Sequence, residues 1–248
     1  MKTVFINCSP KKRFCASVYF LFLQSLFVGG KKVNEKLRTP ADHSRILDQL
    51  KDAKAAVFCL PLYVDGVPSH VLRFMEEMEA FCLENNLKLS VYCVANNGFI
   101  EGKQNEPLMQ VFEHFCTHAG LVWGGGVGIG GGVMLNVTRI LFVVDIALLV
   151  LNTVLSIVNT GMFFNKEAWI SFAENAALLL YFNLGVLFYL AGMGRAIGKG
   201  TYFGKKYTRI LIPSFVFILF ADIFFIIASV LEGGIFRGWL KKKELEKA

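Results

Sequence analysis

The chain changes character near residue 135, and this change restricts its fold more than any other feature. Up to Val133, short apolar runs alternate with amphipathic segments and turn residues, which is typical of alternating strands and helices. From Ile140 onward, long apolar runs follow one another, with the charged residues clustered between them. The first half therefore predicts an α/β domain, and the second half predicts helices that lie in lipid or cover the sheet.

Most of the net positive charge lies in the apolar half. Residues 1–135 carry 14 Lys/Arg and 12 Asp/Glu, whereas residues 136–248 carry 12 and 7. The later cations cluster in Arg195–Arg209 and Arg237–Lys247, beside the apolar runs. Cations in these positions favour anionic lipid headgroups, whereas nucleic-acid binding would need a basic patch on the first half. We therefore expect a lipid bilayer as a partner and no nucleic acid.

All six cysteines lie in the first half, and no two of them form a C-x-x-C pair. This usage is typical of a reducing compartment rather than of a disulfide framework. The four histidines are scattered without the spacing of a metal site, so we expect no bound metal. The chain starts with a short strand and shows no signal-peptide pattern. We therefore expect a protein of the cell membrane whose N-terminal domain is cytoplasmic.

Four short apolar or β-branched runs predict strands at Thr3–Asn7, Ala55–Leu60, Leu87–Ala95 and a run that opens at Leu121–Trp123, and a polar fifth strand is expected over Val33–Arg38. Between them, helical spacing predicts four helices: Ser17–Phe27, Arg45–Ala53, Ser69–Asn85 and Pro107–Ala119. Alternation at this spacing predicts a doubly wound parallel sheet. We expect this α/β domain to occupy residues 1–135.

The second half leaves one segment with two interpretations. Asn136–Asn159 either covers the open face of the sheet, as its narrow polar stripe favours, or forms a first membrane span. With its connector it makes up the predicted region 136–175. Two later runs, Ala176–Ala191 and Ile210–Leu231, are long enough for membrane helices. We therefore expect a C-terminal transmembrane helical hairpin with a basic tail over residues 176–248.

Three loops at strand ends hold the candidate functional residues. In the first, Ser9 and Ser17 supply hydroxyl donors and Lys11 supplies positive charge, while a helix that starts near Ser17 offers free N–H groups to an anion. The other two loops suit a flat ring, because an aromatic side chain stacks on such a ring and backbone groups bond to its edge. Their residues are Pro61, Leu62 and Tyr63 after the third strand, and Asn96, Asn97, Gly98 and Phe99 after the fourth.

Together these loops resemble those of the flavodoxin-like NAD(P)H-dependent FMN reductase family. In that family the first strand ends in an I-x-G-S-P-(basic) loop with a later Ser or Thr for the flavin phosphate, and this chain has Ile6-Asn7-Cys8-Ser9-Pro10-Lys11 and Ser17. The third strand of the family ends in a P-(apolar)-Y segment that borders the isoalloxazine ring, and the fourth leads into a small-polar and glycine loop. The matching segments are Pro61-Leu62-Tyr63 and Asn96-Asn97-Gly98-Phe99. The similarity covers about residues 1–133.

The resemblance implies a five-stranded flavodoxin-like sheet with FMN over the strand ends and NAD(P)H as the hydride donor. The acceptor would be a flavin, a quinone or a membrane redox partner, and no side chain would be needed as an acid or base. Because soluble members of the family often form dimers, it also implies a homodimer. Cys8 stands where the family usually has glycine, so we expect its side chain to intrude near the phosphate. Two other functions stay open: a non-enzymatic, membrane-anchored FMN electron carrier, or a cofactor-free interaction module.

The glycine run Gly124–Gly132 contains the spacing G-x-G-x-x-G but is not read as a dinucleotide-binding motif. It follows the last strand rather than the first, and no acidic residue stands about twenty positions later. Two interpretations remain open. The glycines either let the backbone approach a bound ring or a second subunit, or they form a flexible exit from the sheet.

Overall fold

The computed structural model describes residues 1–11, 15–161, 163 and 165–231, and contains a six-stranded parallel sheet. Its strands are β1 (Lys2–Asn7), β2 (Lys31–Lys36), β3 (Ala55–Pro61), β4 (Ser90–Asn96), β5 (Val122–Gly130) and β6 (Gly204–Arg209). Their order across the sheet is β2-β1-β3-β4-β5-β6. The first five strands follow the order of flavodoxin-like folds. The α/β prediction for the first half is therefore confirmed.

Seven helices accompany the strands within the described residues. They are α1 (Ala16–Leu26), α2 (His43–Leu50), α3 (Ser69–Glu84), α4 (Glu106–His118), α5 (Gly132–Thr160), α6 (Lys166–Lys199) and α7 (Ser214–Leu231). The four helices predicted for the first half are all present. Residues Met1–Leu211 form one compact unit, and Ile212–Ala248 form a second unit whose described helix is α7. The predicted basic tail, residues 232–248, lies outside the described residues.

The core on one face of the sheet forms because β3 is buried along nearly its whole length. Phe58 on this strand contacts Phe74 of α3 and Phe112 of α4, at ring-centroid distances of 6.3 and 5.2 Å. All three rings are fully buried. Burying a side chain of this size contributes roughly 1.5–3 kcal/mol, so the apolar strand and the amphipathic helices hold each other in place.

The expectation of five strands is wrong, because the sheet has a sixth strand after the apolar half begins. β6 pairs in parallel with β5, with Gly204 opposite Gly125 and Arg209 opposite Gly130. The sequence around β6 is polar, and Lys205 donates a hydrogen bond to Glu113 of α4 at 3.0 Å. An edge strand is exposed on one side and commonly carries charge. For that reason it lacks the apolar run by which the central strands are recognised.

The second face of the sheet is covered by α1 and by the C-terminal part of α6. Val186, Leu190, Met193 and Ile197 of α6 recur at helical spacing and are fully buried. Asn183 accepts a hydrogen bond from the hydroxyl of Tyr19 on α1 at 3.0 Å. Most of α5 is exposed by contrast, with only 6% of its apolar window buried. The interpretation of Asn136–Asn159 as the covering helix is therefore wrong.

The predicted position of the helical hairpin also needs correction. Within the described residues, two helical segments are long and apolar enough to cross a membrane, Gly132–Asn159 and Lys166–Lys199, with mean hydropathies of 2.5 and 1.8. They form a hairpin that is inserted between β5 and β6, not one that follows the domain. The second run expected to span, Ile210–Leu231, contains α7, which belongs to the separate unit Ile212–Ala248. The error arose because α6 continues onto the sheet, so that apolar residues with two different roles share one helix.

The glycine run is strand β5, and atoms of the protein itself occupy the space beside its glycines. A Cβ at Gly124 would collide with the ring of Tyr92, and one at Gly128 would come within 2.8 Å of the Gly102 carbonyl and of Tyr207. The run is paired on both sides, with β4 and β6. It is therefore neither a flexible exit nor an approach to a ligand, but a strand with close neighbours.

Candidate functional site

A cleft lies at the carboxyl ends of β1, β3 and β4, where the strand order reverses and α/β sheets bind their ligands. Its enclosed part has a volume of 140 Å³. It brings together nine of the ten residues singled out in the sequence: Ser9, Lys11, Ser17, Pro61, Leu62, Tyr63, Asn96, Asn97 and Gly98. The tenth, Phe99, does not line the cleft, and its side chain is 61% exposed.

The loop after β1 is held by its own hydrogen bonds. The backbone N–H of Ser9 donates to Oδ1 of Asn7 at 3.1 Å, and the N–H of Lys11 donates to the Ser9 hydroxyl oxygen at 3.4 Å. Nη2 of Arg38 donates to the carbonyl of Lys11 at 2.8 Å. The Ser9 hydroxyl accepts this bond and donates to no group among the described residues, so its hydrogen is available to a ligand.

Ser17 lies in the first turn of α1 and is tied to β4. Nδ2 of Asn96 donates to the Ser17 hydroxyl oxygen at 3.2 Å and also to the carbonyl of Leu60 at 3.0 Å. The Ser17 hydroxyl donates to no group among the described residues, so its hydrogen is available to a ligand. The first N–H groups of α1 have no partners within the helix, and its N-cap residue, Cys15, makes no side-chain capping bond. Hydroxyl donors and a helix N-terminus together suit an anion.

A tight turn after β3 places Tyr63 at the rim of the cleft. The backbone groups of Tyr63 and Gly66 exchange hydrogen bonds of 3.2 and 3.0 Å, and the N–H of Leu62 donates to the carbonyl of Asn96 at 2.8 Å. Val64 and Asp65 between them have φ values of 47° and 55°. Burial, and secondarily the nearby Cys15, raise the pKa of Tyr63. Its phenol therefore stays protonated at neutral pH and remains a hydrogen-bond donor.

The loop after β4 supplies an acceptor and an open surface. Asn97 donates from its backbone N–H to Ile129 and from Nδ2 to Glu101, both at 3.0 Å. Its Oδ1 is buried and has no partner among the described residues. Beside it, a Cβ at Gly98 would meet only a methyl group of Val133, at 3.8 Å. A buried oxygen without a partner is costly, so this amide is suited to accept a bond from a ligand N–H.

Four residues that the sequence did not single out also line the cleft: Cys15, Ala16, Val133 and Asn136. Val133 and Asn136 belong to the first turn of α5, which starts immediately above this edge of the sheet. The one signal in the sequence was a polar Asn136 at the start of an apolar run. Cys8 behaves differently from expectation, because its side chain is fully buried in the core and does not reach the cleft.

The residues present fit the FMN that the resemblance implies. Ser9, Ser17 and Lys11 offer two donors and a charge for a phosphate, and Oδ1 of Asn97 offers an acceptor for a ring N–H. Ligand pockets commonly have volumes of roughly 300–1,000 Å³, larger than this cleft. A bound flavin would therefore lie partly outside the enclosed space, against the rim at Tyr63.

Comparison with solved structures finds proteins that are similar to the first half of the chain. The Trp repressor binding protein from Bacillus subtilis is 16% identical over 50% of this chain and 84% of its own, with a TM-score of 0.44. An NADPH-quinone reductase from P. pentosaceus is 15% identical over 53% of this chain and 86% of its own, with a TM-score of 0.44. The NAD(P)H:quinone oxidoreductase from Methanothermobacter marburgensis is 14% identical over 55% of this chain and 91% of its own, with a TM-score of 0.44. No family model matches the chain, and no curated protein is significantly similar to it.

Proposed function

We propose that this protein is a membrane-attached, FMN-dependent oxidoreductase that transfers reducing equivalents from NAD(P)H to a flavin, a quinone or a redox partner. The observation that carries the proposal is the cleft at the reversal of strand order, which has anion-binding groups on one side and Tyr63 with Asn97 on the other. When bound, FMN would accept a hydride and pass its electrons on. The strand order of the sheet supports the same class of protein.

In this proposal the chain binds and orients the cofactor. Ser9 and Ser17 donate hydroxyl hydrogens to the phosphate, and the N-terminus of α1 and Lys11 contribute positive potential. Asn97 accepts a bond from the ring edge, while Tyr63 lies against the ring. The chain needs no side chain as a general acid or base, because the cofactor supplies the chemistry.

The dimensions and exposure of the α5–α6 hairpin support attachment to a membrane. The part of α5 from Ile140 onward is about 30 Å long, and Lys166–Phe182 of α6 is about 25 Å long, close to the roughly 30 Å of bilayer hydrocarbon. A core helix of a soluble protein would be largely buried, whereas α5 has 6% of its apolar window buried. Both helices lie in the middle of the chain, far from the position of a signal sequence.

The charges that flank the hairpin support a cytoplasmic location for the sheet. Its far end carries one basic residue, Lys166, whereas two, Arg139 and Arg195, flank it on the side of the sheet. Loops rich in Lys and Arg stay in the cytoplasm. We therefore propose that the protein lies in the cell membrane with its N-terminal domain in the cytoplasm.

The absorption spectrum of the detergent-purified protein tests this proposal. We expect flavin absorbance in the visible range and bleaching by NAD(P)H under anaerobic conditions. Flavin that is bound but not bleached would support the alternative of a non-enzymatic electron carrier. Protein that stays colourless after incubation with FMN would contradict both and leave an interaction module. A Ser9→Ala/Ser17→Ala variant should lose the flavin absorbance if these hydroxyls hold the phosphate.

A further inference from the structure

The candidate cleft and the apolar hairpin share one edge of the sheet. β5 ends at Gly130, and α5 begins two residues later at Gly132. Val133 and Asn136, both in the first turns of α5, line the cleft. The cleft therefore lies at the base of the hairpin, where α5 leaves the domain.

The direction of α6 shows that the hairpin projects beyond the carboxyl ends of the strands. The hydroxyl of Tyr92 donates to the carbonyl of Thr201 at 2.9 Å, so α6 ends near the amino end of the sheet, where β6 begins. Asn183 bonds to Tyr19, which lies in the first turns of α1 and thus near the carboxyl end. The residues of α6 before Asn183 continue in the same helix, past the edge that holds the cleft.

Exposed apolar side chains line the cleft or directly follow residues that line it. Tyr63 and Val133, which line it, are 40% and 45% exposed. Val64 and Phe99, which follow the lining residues Tyr63 and Gly98 in the chain, are fully and 61% exposed. Val64 also has a φ of 47°, a backbone conformation that a β-branched residue rarely adopts. None of the described residues covers the side chain of Val64. An apolar rim of this kind marks a surface that meets a partner.

We propose that the mouth of the cleft rests on the surface of the bilayer, with Val64 and Phe99 in contact with lipid, and that the electron acceptor is a quinone with an apolar tail that enters from the lipid. The hairpin identifies the partner, because a bilayer that surrounds α5 and α6 meets the edge from which they emerge. Arg139 lies at this edge, over the ring of Tyr19 in α1, and complements anionic headgroups. The lipid contact rests on the proposed membrane attachment, and the route of the acceptor rests in addition on the proposed flavin chemistry.

The electron balance of this route is simple. Two electrons and two protons convert a quinone into a quinol. NAD(P)H supplies the two electrons and one proton as a hydride, and solvent supplies the second proton. The route differs from that of a water-soluble acceptor in one respect, because the rim at Val64 and Phe99 must admit a tail that stays in the lipid.

Spin labelling tests the lipid contact without need of a flavin. The native cysteines are all buried, so a nitroxide label reacts selectively with an introduced Val64→Cys or Phe99→Cys. Val122→Cys is a matched control, because Val122 is 55% exposed at the amino end of β5, the opposite edge. In vesicles of phosphatidylcholine and phosphatidylglycerol, we expect labels at 64 and 99 to collide severalfold more with oxygen, relative to a nickel chelate, than the label at 122. Equal ratios at the three positions would overturn the proposal.

Acceptor kinetics test the route. In vesicles that contain a long-tailed quinone, we expect Val64→Asp to lower the NAD(P)H-dependent reduction rate about tenfold, while ferricyanide reduction stays unchanged and Val122→Asp alters neither. An equal fall with both acceptors, or an unchanged quinone rate, would overturn the lipid route. A preparation without flavin would instead overturn the proposed function, while the result of the labelling experiment would still stand.

Discussion

The side-chain amide of Asn96 donates a hydrogen bond to the hydroxyl oxygen of Ser17, 3.2 Å away, and so joins the end of β4 to the first turn of α1. The two residues are far apart in the chain, and both are almost completely buried. A second bond from the same amide, to Leu60, fixes its orientation. The pair therefore holds the Ser17 side chain in place where it lines the cleft.

Ser17→Ala should weaken FMN binding about tenfold and leave riboflavin binding unchanged. Hydrogen bonds to charged groups contribute roughly 1.5–3 kcal/mol, and only FMN carries the phosphate. Titration of flavin fluorescence measures both affinities. The control is Ser25→Ala on the same helix, because the hydroxyl of Ser25 donates to the carbonyl of Phe22 at an exposed position. Equal losses for the two flavins would contradict a phosphate role.

Cys8→Gly should leave the FMN affinity within about twofold while lowering the free energy of unfolding by roughly 1–3 kcal/mol. The reason is that the Cys8 side chain packs in the core, where its thiol contacts the Ile6 carbonyl at 3.6 Å. Cys15→Ser is the informative comparison. Cys15 lines the cleft at the N-cap of α1, where a hydroxyl would add a hydrogen-bond donor. The Cys15→Ser variant should therefore bind FMN more tightly. Tighter FMN binding by the Cys8→Gly variant would contradict this, because it would mean that the Cys8 side chain lies at the phosphate and not in the core.

Gly124→Ala should destabilise the domain by roughly 1–3 kcal/mol, because a methyl group there would collide with the buried ring of Tyr92. Gly29→Ala serves as the control, since nothing lies within 4 Å of the added Cβ. Denaturant unfolding in detergent, followed by circular dichroism, measures both changes. Similar stabilities for the two variants would contradict the tight packing of β5 against β4.

The free energy of unfolding should fall as the pH rises above about 8.5. Burial raises the pKa of the Cys8, Cys59 and Cys93 thiols well above the usual value, so the folded state keeps protons that the unfolded chain releases. A raised folded pKa gives stability that is complete below the unfolded pKa and is lost above it, at roughly 1.4 kcal/mol per pH unit for each thiol. Unfolding at pH 7.5, 8.5 and 9.5 measures this slope.

The same experiment with Cys93→Ala provides the control for the alkaline slope. That variant has one buried thiol fewer. Its free energy of unfolding should therefore fall less steeply with pH, by roughly 1.4 kcal/mol per pH unit, whatever its stability at neutral pH. Tyrosine and lysine side chains titrate near pH 10 or above and contribute little in this range. An identical slope in both proteins would mean that the Cys93 thiol is not buried in the folded state.

The sequence alone determined the α/β half and most of the candidate cleft. Ala55–Leu60 is apolar throughout because a central parallel strand is covered on both faces, so it is recognisable by composition. Loop residues such as Ser9, Tyr63 and Asn97 stand directly after such strands, and parallel strands end at one edge. Their meeting at a single cleft therefore follows from local pattern and strand direction.

Only the tertiary structure decided how the apolar half is used. α6 carries one apolar segment that projects from the domain and another that packs on the sheet, and hydropathy does not separate them because lipid and protein core are equally apolar. β6 is polar because it lies at an edge, so only its pairing with β5 identifies it. The entry of Val133 and Asn136 into the cleft likewise depends on where α5 starts. These contacts join residues distant in the chain, and no local pattern records them.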